Sequence, residues 1–196
     1  DHFSYDPAVV LNDPEIELVI EAISDADIAY EIAEQALRSG KHVITASKKM
    51  VANHLADLVR LQRETGGRIL YEAAVCGSIP VLRTLEGYFS YDQIHAIQGV
   101  FNGTSNYILH QVEQGNTYAQ ALRKAQELGL AEADPTSDVG GYDARFKLAI
   151  ATLHGTGKLY RPEDIPRFGI DQLTESEAAF AERHGLRLRL KAIATQ

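Results

Sequence analysis

Residues 18–46 read LVIEAISDADIAYEIAEQALRSGKHVITA, and this stretch decides the fold. It holds two short apolar runs, at 18–23 and 42–46, of the kind that forms parallel strands covered on both faces. Gly40 follows the intervening segment at the expected helix C-cap, and the apolar residues of that segment recur at helical spacing: Ile28, Ala29, Ile32, Ala33, Ala36 and Leu37. The stretch therefore predicts a strand, a helix and a second strand.

The same alternation continues to about residue 75. A helix is predicted over 52–64, where Gly66-Gly67 ends it, and a third strand over 68–74. Strands joined by helices through short connections favour a right-handed parallel arrangement. We therefore predict that the first part of the chain is an α/β unit.

The remainder of the chain has a different pattern, of α+β character. Ser78 and Pro80 suit the start of a helix that runs to about Tyr88, and 94–101 alternates as a half-buried strand does. A polar loop is predicted over 130–141, and further helices over 104–114, 117–129, 142–154 and 174–184. Leu186, Leu188 and Leu190 alternate with basic residues into a predicted final strand.

Composition excludes several classes of protein. The net charge is −8 with both signs interspersed, which argues against nucleic acid as a partner. No apolar run approaches the roughly 20 residues of a membrane helix. Cys76 is the single cysteine, no secretion signal is visible, and we expect a cytoplasmic protein. Because the first residue is Asp1 rather than Met, we expect the N-terminus to be cut.

Known catalytic motifs are also missing. The seven histidines show no metal-ligand spacing, so a zinc site is not expected. Neither a Gly-x-Ser-x-Gly elbow nor a Walker phosphate loop occurs, which leaves hydrolase and kinase functions without support.

Two candidate segments lie at predicted strand ends of the α/β unit. Thr45–Lys49 presents lysines where open α/β sheets bind ligands, so it could meet a phosphate or an oxyanion, or carry only a solvated lysine pair. Tyr71–Pro80 could point carbonyls at a cation while Glu72 supplies charge, or could be only a tight turn with a glycine.

Two more candidate segments lie in the α+β region. Residues 99–107 open a helix with a polar cluster that suits an anionic group, although helix capping by Thr104 or Ser105 would also explain it. In 129–147, three loop carboxylates precede Asp143 and Lys147, which are spaced i and i+4 and so share a helix face. Carboxylates there could hold an ammonium while the lysine protonates an alkoxide; the alternative is an acidic loop with an ordinary ion pair.

Together, in this order and spacing, these segments resemble the homoserine dehydrogenase family along nearly the whole chain. The resemblance begins at Val19-Ile20-Glu21 with Ser24-Asp25 and is strongest from Ala131 to Lys147; between them it includes Thr45-Ala46-Ser47-Lys48, Tyr71-Glu72-Ala73 and Asn102–Tyr107. Ser47 departs from it, because an asparagine is usual there. The resemblance implies NAD- or NADP-dependent interconversion of L-aspartate 4-semialdehyde and L-homoserine. It also implies that 1–77 is the C-terminal half of a Rossmann-like dinucleotide-binding domain and 78–196 an α+β catalytic and dimerisation domain.

The resemblance further implies a role for individual residues. Lys147 is the proton donor to the reacting oxygen, with Lys48 near that oxygen and the nicotinamide. The residues expected to bind homoserine are Glu132, Asp138, Asp143 and Thr104, and those expected to contact the cofactor are Ser24, Lys48 and Gly129. A monovalent cation, Na⁺ or K⁺, is expected at Glu72, Val75, Gly77 and Ile79, the last three through backbone carbonyls.

Some of the family pattern is absent from the sequence. The Gly-x-Gly-x-x-Gly turn that cradles the pyrophosphate does not occur, and neither do the first strand and helix or the family's later segment. We therefore expect an internal fragment that binds NAD(P) weakly or not at all, whose open sheet edge favours a homodimer or larger homo-oligomer. Two alternatives stay open: another NAD(P)-dependent oxidoreductase of similar two-domain build, and a non-catalytic dimerisation or interaction module.

Overall fold

The computed structural model describes residues 3–196 and divides into two compact units. The first unit comprises the chain up to Ile94 together with Ala149–Pro162, and the second comprises His95–Leu148 together with the chain from Glu163 onward. The predicted fold class, a partial parallel sheet followed by an α+β region, is confirmed. Packing places residues 78–94 in the first unit, whereas the division into functional domains at residue 77 stays a prediction.

The described residues form helices and strands in an order that includes several short helices not predicted from the sequence. They are α1 (Ala8–Leu11), β1 (Leu18–Glu21), α2 (Ala26–Arg38), β2 (His42–Thr45), α3 (Lys48–Thr65), β3 (Ile69–Leu70), α4 (Ala73–Cys76), α5 (Val81–Gly87), β4 (Ala96–Gly99), α6 (Gly103–Glu113), α7 (Tyr118–Glu127), α8 (Thr136–Val139), α9 (Tyr142–Thr156), a 3₁₀ helix (Pro162–Asp164), α10 (Glu175–Arg183) and β5 (Ala192–Thr195). None of the helices within residues 3–196 is long and apolar enough to cross a membrane.

The first unit is built on a parallel sheet in the order β1, β2, β3. Asp25 caps α2 by accepting hydrogen bonds from the backbone N–H groups of Asp27 and Ile28, as short polar side chains do at helix starts. Helix α2 packs on β1, β2 and α3, and it buries Ala29, Ala33, Ala36 and Leu37. The predicted core stripe of this helix is confirmed at these four residues, whereas Ile28 is 49% exposed and Ile32 is only partly buried.

The other face of this sheet is largely exposed. Successive strand residues point to opposite faces, and here every second residue is buried in β1 and β2. The large apolar residues of the opposite face are Leu18, Ile20, Ile44 and Leu70, with exposures of 46%, 73%, 36% and 59%. We call these four residues the open sheet face.

The third strand is shorter than the sequence pattern predicts. Only Ile69 and Leu70 pair with β2, so the prediction of a strand through residue 74 is wrong. The backbone N–H of Ala74 donates to the carbonyl of Tyr71 at 2.9 Å, which turns the chain into α4. Helix α3 also differs, because it begins at Lys48 rather than near residue 52.

The second unit combines an antiparallel pair, β4 and β5, with helices. One core cluster joins α6 and α7 through Ile108, Leu109, Ala121 and Ala125, and another packs Ala144 and Leu148 of α9 on Ala192. Helix α9 contributes its first half to this unit and its second half, from Ala149, to the first unit.

Two predictions in this unit are wrong. The final strand is 192–195 and not 186–190, because the backbone N–H of Leu188 donates to the carboxylate of Glu113 instead of to a neighbouring strand. The predicted polar loop over 130–141 contains α8, whose first residues follow Pro135. Proline suits the start of a helix because it lacks the N–H that would be unsatisfied there.

Candidate active site

The side-chain amide of Asn102 is the centre of a polar network in the second unit. It caps α6, because its Oδ1 accepts a hydrogen bond from the backbone N–H of Ser105 at 2.7 Å. Its Nδ2 donates to Asp138 Oδ1 at 2.7 Å and to Asp143 Oδ2 at 2.9 Å. One amide therefore ties together the starts of α6 and α9 and the short helix α8.

Lys147 completes this network. Its ammonium lies 2.7 Å from Asp143 Oδ2 and donates to the carbonyl of Phe101 at 2.8 Å. Asp143 is 1% exposed, and the side chain of Lys147 is 17% exposed. The predicted pairing of these two residues on one helix face is confirmed, but as a partly buried ion pair rather than a solvated one.

An ammonium has three N–H groups, and contacts with residues 3–196 account for two of those of Lys147. The third is available for an oxygen of a ligand. Because the ion pair is partly buried, its electrostatic interaction is stronger than it would be on the surface. The arrangement can hold a proton donor in a fixed direction.

Thr104 and Ser105 hold the surrounding segments rather than cap α6. The Thr104 hydroxyl donates to the carbonyl of Leu130 at 2.7 Å, and the Ser105 hydroxyl donates to the carbonyl of Asp138 at 2.8 Å. Capping by Thr104 or Ser105, an alternative that the sequence left open, is therefore wrong. Asn102 was missed as a site residue, although asparagine before a helix start is a recognised capping signal.

The loop before α8 carries the remaining predicted substrate residue. Glu132 is exposed, and its carboxylate has no hydrogen-bond or ion-pair partner within residues 3–196. Gly129, at φ +70°, ends α7, and the side chain of Gln126 donates to the carbonyl of Glu132 at 3.1 Å. The carboxylate of Asp134 accepts hydrogen bonds from the hydroxyl and the backbone N–H of Thr136. These bonds, the hydroxyl's more than the backbone's, hold the pKa of Asp134 below its usual range. The structure thus brings Asp138, Asp143 and Lys147 together, and leaves Glu132 at the surface.

In the first unit, a buried carboxylate organises the ends of β1 and β2. Glu21 is 3% exposed and accepts hydrogen bonds from the Thr45 hydroxyl and the Ile23 backbone N–H, both at 2.5 Å. The backbone N–H of Ser47 donates to the Thr45 hydroxyl at 2.9 Å, which fixes the turn before Lys48, the first residue of α3. Ser24 is exposed and directly precedes the cap of α2. These residues lie at the carboxyl ends of parallel strands, where ligands of such sheets bind.

The segment predicted to hold a cation also lies in the first unit. The two carboxylate oxygens of Glu72 accept from the backbone N–H groups of Leu82 and Arg83 at 2.9 and 3.0 Å. Gly77 has φ +59° and ψ −120°, a conformation that a glycine adopts readily. The part of the chain that the structure describes contains no group of three or more His, Cys, Asp or Glu residues that could hold a metal. A cation here would depend on backbone carbonyls with one carboxylate, which is oxygen chemistry that fits a hard ion.

Comparison with known proteins matches both parts of the chain to the same family. The family model described as homoserine dehydrogenase matches residues 80–196, and the model for the NAD-binding domain of homoserine dehydrogenase matches residues 4–72. Homoserine dehydrogenase of Bacillus subtilis (strain 168) is 41% identical over 186 residues, which are 94% of this chain and 43% of that protein.

Among solved structures, the chain is similar to homoserine dehydrogenases as well. The chain superimposes on a homoserine dehydrogenase from Thiobacillus denitrificans with a TM-score of 0.94 and 38% identity, covering 98% of this chain and 45% of the other. A hyperthermophilic archaeal homoserine dehydrogenase in complex with NADPH has a TM-score of 0.85 and 25% identity, covering 100% of this chain and 58% of that one. The chain thus spans less than half the length of the bacterial relatives it matches.

Proposed function

The chain belongs to the homoserine dehydrogenase family, and from this premise we propose that its protein interconverts L-aspartate 4-semialdehyde and L-homoserine with NAD or NADP. The observation that carries the proposal is the ammonium of Lys147, held by Asp143 and by the carbonyl of Phe101 with one N–H to spare. The similarity to a homoserine dehydrogenase in complex with NADPH supports the choice of cofactor.

Each residue of the network has a task in this reaction. The bound cofactor supplies a hydride to the aldehyde carbon, and the aldehyde oxygen then gains negative charge. Lys147 donates a proton to that oxygen, while Asp143 and the carbonyl of Phe101 keep the ammonium directed. Asn102 prevents the carboxylates of Asp138 and Asp143 from moving away.

Other roles are proposed on the strength of the family pattern. Glu132, Asp138, Asp143 and Thr104 bind homoserine, with the exposed carboxylate of Glu132 suited to its ammonium. Lys48, Ser24 and Gly129 contact the cofactor, and Glu72, Val75, Gly77 and Ile79 hold a monovalent cation. We also propose a cytoplasmic location and a homodimer or larger homo-oligomer.

Substitution of Lys147 tests the function. In a form of the protein that binds NADPH, Lys147→Met should lower kcat by about 10²–10⁴-fold, because a positioned proton donor contributes that much. KM for homoserine should change much less. Lys158→Met, at an exposed position, is the matched control and should turn over normally. Wild-type kcat in Lys147→Met would exclude this lysine as the proton donor.

A further inference from the structure

A further polar cluster lies in the first unit, and it includes the residue that precedes Glu72. The ring of His154 in α9 lies with Nδ1 2.6 Å from Glu86 Oε1 and Nε2 2.9 Å from the hydroxyl of Tyr71. The histidine side chain is 12% exposed and Tyr71 is 7% exposed. The tyrosine and histidine rings also pack edge to face, with centroids 5.4 Å apart.

The two ring nitrogens of His154 have partners of different chemistry. The carboxylate of Glu86 accepts hydrogen bonds, whereas the hydroxyl of Tyr71 can also donate one. With its hydrogen on Nδ1, the imidazole donates to Glu86 and accepts from Tyr71, and all three groups are satisfied.

These contacts close a ring of interactions around one segment of chain. Tyr71 directly precedes Glu72, whose carboxylate binds the backbone N–H groups of Leu82 and Arg83 at the start of α5. Glu86 lies in the same helix, near its end. His154 thus joins the first residue of the segment 71–86 to a residue at its other end, from an element outside the segment.

We propose that His154 is a positioning residue for the cation site: by joining Tyr71 to Glu86 it holds the segment 71–86 in the conformation that binds Na⁺ or K⁺. The inference rests on the proposed function, because that function includes the cation site at Glu72, Val75, Gly77 and Ile79. Gly77, at φ +59°, lies near the middle of the segment, between Val75 and Ile79.

Cation binding can be measured without turnover. In the NADPH-binding form of the protein, the unfolding midpoint is followed as KCl or NaCl replaces tetramethylammonium chloride at constant ionic strength. Tl⁺, a probe for K⁺, is located by anomalous diffraction. Wild type should be stabilised with a saturating dependence on K⁺ or Na⁺ and should show Tl⁺ at the segment. Both His154→Leu and Tyr71→Phe should raise the half-saturating concentration at least about tenfold.

Two further variants separate positioning from general stability. His154→Gln can still accept from the Tyr71 hydroxyl through its amide oxygen, so it should recover part of the cation affinity that His154→Leu loses. His95→Leu, at an exposed histidine, should bind the cation as wild type does. If His154→Leu lowers the midpoint without changing the half-saturating concentration, the histidine is only structural and the proposal is overturned.

Turnover of the same wild-type sample keeps the two proposals apart. If the enzyme is active but its stability does not change with K⁺ or Na⁺, the role of His154 is overturned and the dehydrogenase function is still supported. A sample that binds NADPH and the cation but does not turn homoserine over would overturn the dehydrogenase function instead, while the effect of His154 on cation binding would still be measured.

Discussion

At the scale of single residues, Asn102 has the most consequences. Its amide donates to two carboxylates and accepts from a backbone N–H, so it uses both donors and its acceptor at once. Asn102→Ala should lower the free energy of unfolding by about 1–3 kcal/mol, because it removes a donor from Asp138 and Asp143 and leaves the buried backbone N–H of Ser105 without its acceptor. Urea denaturation measures the change.

The isosteric Asn102→Asp variant refines this test. It retains the capping oxygen but replaces the donor by a third carboxylate beside Asp138 and Asp143, so it should be no more stable than Asn102→Ala and should lower kcat as well. Asn53→Ala, at an exposed position, should stay within about 0.5 kcal/mol of wild type. Equal stability of wild type and both Asn102 variants would show that the network contributes nothing to folding.

Residue spacing predicted part of the candidate site and missed part. The i and i+4 spacing placed Asp143 and Lys147 on one face, and the structure pairs them. That spacing does not reveal the contacts of Asn102, which is 36 residues from Asp138 and 41 from Asp143 along the chain. The packing of α6 against α8 brings the amide to Asp138.

At the scale of elements, the start of α9 depends on Gly141. This residue has φ +78°, and a Cβ built on it would lie 2.9 Å from the carbonyl oxygen of Phe168. Gly40 has a similar φ of +76° but nothing within 4 Å of such a Cβ. Gly40→Ala should cost about 1 kcal/mol from backbone strain, and Gly141→Ala should cost clearly more because a clash is added. Equal losses in thermal or urea unfolding would contradict the close approach.

The end of α6 gives this unit a dependence on pH. Burial acts to raise the pKa of Glu113, but the hydrogen bonds from Arg189 and the Leu188 backbone N–H, with the charges of Arg189 and Arg187, lower it overall. A carboxyl with a lowered folded-state pKa stabilises the fold above its unfolded-state pKa, and that contribution is lost as pH falls through the folded-state value.

Glu113→Gln should therefore flatten the loss of stability on the acid side, while it lowers stability near neutral pH. Unfolding in urea at a series of pH values measures both effects. Glu127→Gln, at an exposed position of α7, is the control and should follow the wild-type curve. If Glu113→Gln loses stability at acid pH as wild type does, Glu113 is not the cause of that loss.

Helices and strands could be predicted where the local spacing of apolar residues matches the way the element packs in the structure. The strands and helices over 18–65 follow from apolar spacing and capping residues, and the structure confirms them. The alternation at 186–190 misled because Leu188 and Leu190 pack on the core of α6 and α7 without a neighbouring strand. The alternating pattern agrees with the packing of Leu188 and Leu190 but not with the 55% exposure of Leu186, and it does not show whether the backbone has a partner.

At the scale of the whole chain, the open sheet face dominates the expected behaviour in solution. Parallel sheets normally have both faces covered, and here four aliphatic residues of one face are exposed. The 196-residue chain should bind a hydrophobic dye such as ANS and should self-associate as its concentration rises.

Polar replacement at this face tests that expectation. The double variant Ile20→Thr/Leu70→Thr should bind less dye and elute later in size-exclusion chromatography. A matched double variant at exposed aliphatic residues elsewhere, Leu159→Thr/Leu186→Thr, should leave both properties nearly unchanged. If the matched pair reduces dye binding as much as the first pair, the open sheet face is not the main source of association.

The membership of α9 in both units decides how the chain can be dissected. A cut between residues 77 and 78 leaves the second unit whole but divides the first unit, because the first unit also includes 78–94 and Ala149–Pro162. The piece before the cut would lack His154, and with it the hydrogen bond that its Tyr71 side chain makes. Separate expression of the two halves is therefore a poor way to assign their activities. Adding a peptide of residues 149–162 back to the piece before the cut would test fragment complementation.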